Sequence, residues 1–352
     1  MTKDYAPQGF QYPSTRYSGS KRKFLDWIWE KVKDIPFQSV LDVFGGSGSV
    51  SLLFKRYGKQ VSYNDLMKFN QIIGTAIIEN DSVTVTPQDI NGVLQFSNNN
   101  YPDFIQKQFA GIFFLDEENA WLDKVVKNIG EVEDKFKRAI LLSSLFQACL
   151  AKRPFNLFHR ANLNIRVASV ERTFGNKTTW ERPFPELLKR YVAEYNKAVF
   201  ANGRENRVIG GYDSLVAPNG VDLVYIDPPY FSRSASHGTN YMTFYHFLEG
   251  LSDYRSWPEK IKSSLGKTKR IPDTEEISRF VRKSQIVSSF EKLLSRYKDN
   301  IIVLSYQSNG IPTKDEIISM LQDLGKKVTV YSRTHRYALS SQSDEELLFI
   351  AQ

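Results

Sequence analysis

The most restrictive feature of this sequence is a short apolar run, Ser39-Val40-Leu41-Asp42-Val43-Phe44, that leads directly into Gly45-Gly46-Ser47-Gly48. Unbroken apolar character bounded by glycine reads as a parallel strand buried on both faces and feeding a tight turn. A helical pattern over Val50 to Tyr57 and a second strand over Gln60 to Asn64 follow. A further helix is expected over Leu66 to Ile78. Strand, glycine turn, helix and strand in that order open a doubly wound α/β sheet.

Beyond Asn80 the pattern is less regular. Helices are expected at Asp116 to Val126, Val132 to Lys152 and Pro185 to Ala201, with a polar, basic loop at Arg153 to Arg160 between the last two. Strand character returns at Arg207 to Ile209 and at Val221 to Ile226. The stretch Phe231 to Arg282 reads as irregular and basic. The chain then gives a helix at Ile286 to Tyr297, a strand at Ile301 to Ser305 and a helix at Lys314 to Leu324. Lys327 to Tyr331 and Leu347 to Ala351 form a closing strand pair. This is an α/β domain split by one large and one smaller insertion.

Charge follows the same division. The formal net charge is +8, yet Lys137 to Arg204 holds 13 basic against 4 acidic residues, while Glu79 to Asp134 holds 3 against 11. Concentrated positive charge suits a polyanionic partner, and it also suits a plain solvated face. The single cysteine, Cys149, excludes an internal disulfide and a thiolate zinc cluster; its apolar surroundings make it a buried structural residue. No apolar run approaches the roughly 18 residues needed to span a bilayer, and no apolar signal region opens the chain. A soluble intracellular protein is expected.

Four segments carry chemistry. Phe44, Gly45, Gly46 and Gly48 close the first strand, where glycines let the backbone approach a ligand. Gly46-Ser47-Gly48 also fits two glycines of a dinucleotide fingerprint, with Ser51 at the third position. Asp65 ends the second strand and can accept ribose hydroxyls or cap the next helix. Asp227-Pro228-Pro229-Tyr230 directly follows the strand ending at Ile226. An aromatic amine is a poor nucleophile, because its lone pair is delocalised into the ring. Asp227 and the Pro228 carbonyl can accept its two hydrogens and favour density at nitrogen, while Tyr230 offers a ring on which an extruded base can stack. The ring of Tyr230, rather than its hydroxyl, is expected to matter.

The order of these segments resembles the Dam-type amino methyltransferases that modify adenine N6 in DNA. In that family the glycine motif comes first, then a recognition region, then Asp-Pro-Pro-Tyr. The resemblance extends to Tyr17-Ser18-Gly19-Ser20-Lys21, which matches the family's aromatic–x–Gly–x–Lys segment. It implies that Tyr17 and Lys21 meet the methionine part of S-adenosyl-L-methionine and that Asp213 receives its adenine amine. Ser305 to Gly310 and the Glu346 to Ile350 strand look like the family's last core elements.

The implied fold is a Rossmann-like class I methyltransferase with a mixed, mainly parallel seven-stranded sheet and a largely helical DNA-recognition insertion. Residues 1–81, 207–231 and 284–352 would form the catalytic domain, 82–206 the target-recognition region, and 232–283 a second DNA-facing insertion. Within the first insertion Arg153, Asn156, His159 and Arg160 are candidate DNA contacts, whereas Phe155 and Phe158 are expected to pack. No second His or Cys stands at ligand spacing from His159, so no metal is expected. The implied partners are double-stranded DNA and, in a restriction–modification setting, a cognate restriction endonuclease, in the bacterial cytoplasm or nucleoid. An RNA adenine-N6 enzyme stays open, since the 2′-hydroxyl that separates the polymers leaves no mark here. Cytosine N4 methylation usually carries Ser before the two prolines. A hydride-transferring enzyme leaves Asp227 to Tyr230 unexplained, and a pure DNA-binding protein has no need of Lys21, Asp65 and Asp213 together.

Overall fold

The computed structural model describes residues 3–97, 100–169, 177–261, 266–336 and 343–352. Seven strands form one sheet: β1 (Ser39–Asp42), β2 (Gln60–Asn64), β3 (Arg207–Gly210), β4 (Leu223–Ile226), β5 (Ile301–Gln307), β6 (Val328–Arg336) and β7 (Ser343–Ala351). Their order is β3-β2-β1-β4-β5-β7-β6. All neighbours pair in parallel except β7, which runs antiparallel to both β5 and β6. The mixed, mainly parallel seven-stranded sheet expected from the sequence is present.

Successive side chains of a strand point to opposite faces. Val40, Tyr225, Val303 and Leu348 therefore enter one apolar core, and Leu41, Val224, Leu304 and Phe349 enter the other. β4 is buried along its whole length between β1 and β5. Apolar faces on both sides require helices on both sides, which is why these strands lack polar alternation.

Most expected helices form within a few residues of their predicted limits. The helix anticipated from Leu66 runs as an α-helix at Lys68–Gly74 and continues as a π-helix at Thr75–Glu79. The buried Lys55 ammonium donates to the carbonyls of Ile78 and Asn80 at 2.9 and 2.8 Å, satisfying groups that the π-helix end leaves open. A helix at Leu25–Val32 was not foreseen.

The stretch Phe231 to Arg282 needs correction. It contains a twelve-residue helix, Tyr241–Ser252, whose Met242, Tyr245, Phe247, Leu248 and Leu251 are buried in the first core. Glu249 accepts the backbone amides of Lys68 and Phe69, both at 3.1 Å, and so caps the Lys68–Gly74 helix from a distance. This helix belongs to the scaffold, whereas Arg233, Lys267 and Arg270 around it are exposed. Residues 262–265, within the same stretch, lie outside the described residues.

Candidate active site

Four adjacent parallel strands each end in an acid. Asp42 is the last residue of β1, Asp65 and Asp227 immediately follow β2 and β4, and Asp213 lies three residues beyond β3. All four line one cleft that opens to solvent. Carboxyl ends of parallel strands are where α/β sheets bind ligands, because the helices that follow diverge there. Tyr17, Lys21, Phe44, Gly45, Gly46 and Pro229 also line the cleft. The other residues expected there sit at its edge: Gly48 caps the Ser49–Arg56 helix, Pro228 is buried, and Tyr230 lies behind Lys21.

The glycine turn is dictated by its neighbours. A Cβ on Gly45 would fall 2.1 Å from the ring of Tyr63, and Gly48 adopts φ +72° at the helix start. Asp65 accepts the Gly46 amide at 2.8 Å with one oxygen and the Met67 amide at 2.8 Å with the other. It thus holds the turn and the start of the next helical segment while facing the cleft. Burial pushes its pKa up, opposed by those two amides. Asp42 is raised further, to about 7, mainly by burial and despite the Ser51 hydroxyl at 2.6 Å. Its other oxygen has no hydrogen-bond partner among the described residues.

Tyr17 stacks against both Tyr241 and Tyr245, with ring centroids 5.3 and 4.8 Å away, and those two rings lie 6.3 Å from each other. Phe44 meets the edge of Phe280. Asp213 is held by Arg279 at 2.5 Å, an ion pair from the Glu275–Val281 helix that closes one side of the cleft. Lys21 is 5% exposed, and its ammonium lies 2.9 Å from Asp227 and 3.4 Å from Glu346. It also sits 4.5 Å above the ring of Tyr230, whose hydroxyl donates to Glu346 at 2.5 Å. Burial raises the Asp227 carboxyl to about 6, with Lys21 pulling it down and Glu346 pushing it up.

The basic loop is arranged differently from expectation. Arg153 is 1% exposed, and its guanidinium donates to the carbonyls of Phe113, Leu157 and Arg160. All three directions are taken by backbone, so Arg153 shapes the loop and does not face DNA in this conformation. Phe158 packs as expected, but Phe155 is 54% exposed at φ +64°. Asn156 accepts from Arg16 at 3.2 Å, His159 packs against Phe244, and Arg160 is exposed. Among the described residues no group of three His, Cys, Asp or Glu could hold a metal, and no helix is long and apolar enough to cross a membrane.

Sequence reasoning missed Glu346, Arg279 and Tyr241. Only Glu346 left a signal, as the acid directly before the apolar run Leu347 to Ala351.

The strand order and the acid-lined cleft together define a methyltransferase of the class I α/β fold. Residues 17–320 match the family model for D12 class N6 adenine-specific DNA methyltransferase, and the chain belongs to that family. It is 28% identical to the type II methyltransferase M2.HphI of Haemophilus parahaemolyticus over 97% of this chain and 98% of that protein. Type II methyltransferase M.FokI of Planomicrobium okeanokoites is 26% identical over 94% of this chain, which spans 50% of that protein. Type II methyltransferase M.NlaIII of Neisseria lactamica is 23% identical over 91% of this chain and 92% of that protein. The polymer left open by the sequence is therefore DNA, and the modified atom is adenine N6.

Proposed function

We propose that the cleft binds S-adenosyl-L-methionine and that Asp227 and the Pro228 carbonyl orient the amine of an extruded adenine for direct methyl transfer. The reading rests above all on the half-buried Asp227 carboxylate, set at the end of the central strand and lining the acid-rich cleft. The cofactor's chemistry fits the lining. Asp65 and Asp213 supply acceptors for ribose hydroxyls and an adenine amine, Phe44 and Tyr17 supply aromatic surface, and the glycine turn leaves room for close backbone approach. When bound, this cofactor supplies an electrophilic methyl group on a sulfonium.

The rest is positioning and electrostatics. Asp227 accepts one hydrogen of the target amine and the Pro228 carbonyl the other, returning lone-pair density to nitrogen. Lys21, which the family resemblance assigns to the methionine end, is paired with Asp227 here. Its ammonium favours the ionised form of that carboxylate and is close enough to serve both ligands. The ring of Tyr230 receives the flipped base. Residues 82–206 read the target sequence, with Asn156, His159 and Arg160 as contacts on an exposed or half-exposed loop. The exposed loops of 232–283 add phosphate contacts. The type II names of the relatives support a restriction–modification setting, with a cognate endonuclease as partner.

Sequencing of modified bases in DNA from cells expressing the protein tests this. The wild type should yield N6-methyladenine at one recurrent sequence, and folded Asp227→Ala should yield none. Methylation retained by a folded Asp227→Ala protein, checked by circular dichroism, would sink the mechanism.

A further inference from the structure

Glu346 lies far from every motif that marks the site, yet its Oε1 is a meeting point for three donors. The Ser305 hydroxyl lies at 2.6 Å, the Tyr230 hydroxyl at 2.5 Å and the Lys21 ammonium at 3.4 Å. The residue is 3% exposed. β7 puts it there: Glu346 pairs with Gln307 of β5 and Arg333 of β6, at the end of the sheet where β4 delivers Asp227. A buried charge is costly unless it is paired and hydrogen-bonded. An apolar residue at this strand position would extend the core as Leu347 and Leu348 do, so a charge here calls for a specific partner.

We infer that Glu346 is a positioning residue for methyl transfer, holding Lys21 and the Tyr230 hydroxyl at the catalytic motif and dividing the Lys21 charge between itself and Asp227. The inference rests on the proposed role of Asp227. One ammonium serves two carboxylates, the buried Glu346 and the half-buried Asp227, so the nearer one, Asp227 at 2.9 Å, gains whatever Glu346 does not take. The same contacts hold the Lys21 chain across the ring of Tyr230. Glu346 touches neither the methyl group nor the base in this scheme; it acts through the two residues that do.

Asp227 is faced by Lys21 from the N-terminal turn, Glu346 from β7, Asp42 from β1, and the Tyr225 and Tyr230 hydroxyls from β4 and the motif itself. Burial, then Glu346, raises its pKa against the pull of Lys21. Asp227 must be ionised to accept the amine hydrogen, so methylation should fall as pH drops through its pKa. Removing the Glu346 charge releases the share of the Lys21 ammonium that Glu346 holds and removes a like charge facing Asp227. The acid limb should then move to lower pH.

Single-turnover methylation of a saturating DNA duplex, followed from pH 5 to 8.5, tests this with two variants. Glu346→Gln keeps an acceptor for the hydroxyls and should shift the acid limb down by about half a pH unit or more. Glu346→Asp keeps the charge but falls one methylene short of Lys21 and Tyr230. It should leave the limb near its wild-type position while lowering the transfer rate about tenfold through misplacement. Calorimetry should show S-adenosylmethionine binding little changed in both. An unmoved acid limb in Glu346→Gln, or a wild-type transfer rate in Glu346→Asp, overturns the inference. So does a loss that tracks only the melting temperature, since that marks a purely structural residue. Asp227→Asn is the control: if it is inactive while the Glu346 variants behave as wild type, the role of Asp227 stands and that of Glu346 falls. If Asp227→Asn is fully active, both fall.

Discussion

Tyr230 combines two groups that can be separated by substitution. Its ring lies under Lys21 and edge-on to Tyr306, while its hydroxyl donates to a buried carboxylate. The sequence suggested that only the ring would matter; the hydrogen bond to Glu346 changes that expectation. A hydrogen bond to a charged group contributes about 1.5–3 kcal/mol. Tyr230→Phe should therefore slow single-turnover methylation about tenfold, through a less well held Lys21 and Glu346. Tyr230→Ala should be slower still, and only it should brighten 2-aminopurine at the target position by removing the stacking ring. Equal rates for Phe and wild type would show that the hydroxyl bond has no catalytic consequence. Residues of the site differ sharply in how legible they were. Asp227 was readable because its chemistry is packed into four consecutive residues behind a buried strand. Asp65 was readable because a parallel strand delivers a ligand-facing acid at its carboxyl end, whereas Asp213 came only through the family resemblance. Glu346 was not, since only sheet order brings position 346 to position 21. Arg153 was misplaced because sequence displays a residue's charge but not where its side chain points.

The Tyr241–Ser252 helix shows the same limit at the scale of elements. Amphipathic helices announce themselves by a polar stripe, but this one is enclosed on most sides and presents Tyr, Met, Phe, His and Leu in no helical rhythm. Central strands were legible for the opposite reason: four to seven apolar residues between turn signals can scarcely do anything else. The helix is joined to the basic loop by His246, fully buried, whose Nε2 faces the Phe158 carbonyl at 3.1 Å. Burial depresses this imidazole to about 4, well below the ordinary 6.5. Between those values the unfolded chain binds the proton and the folded chain does not. The stability tied to a neutral His246 is therefore fully present above pH 6.5 and is lost as pH falls toward 4. The full loss should amount to about 3–4 kcal/mol, at 1.4 kcal/mol per unit. Thermal melts from pH 7.5 to 4.5 should show a shallower decline for His246→Gln than for wild type. Parallel declines would show that His246 does not titrate in this window.

Across the whole molecule, charge and topology divide the work. The sheet carries the acids of the cleft, and the segment from Lys137 to Arg204 within the proposed recognition region concentrates 13 basic residues against 4 acidic. Arg160 and Arg153 sit seven residues apart in that insertion and should behave differently. Arg160→Ala should leave the melting temperature near wild type and flatten the slope of log affinity against log salt by about 0.9, as expected for one lost phosphate contact. Arg153→Ala strands three carbonyls and should lower unfolding stability by about 3 kcal/mol. Fluorescence anisotropy across a salt series, with urea melts alongside, separates the two. A stable Arg153→Ala protein with a flattened salt slope would return that residue to the DNA surface. Topology has a consequence in time as well as space. β7 inserts between β5 and β6, although β6 is made first, so β6 has no partner in the sheet until β7 arrives. A chain emerging from the ribosome already contains the glycine turn and Asp227, but Lys21 has to wait 325 residues for Glu346. If Glu346 positions the site as inferred, synthesis keeps that site unfinished until β7 slots home, so a half-made enzyme would have no completed site with which to mark a genome.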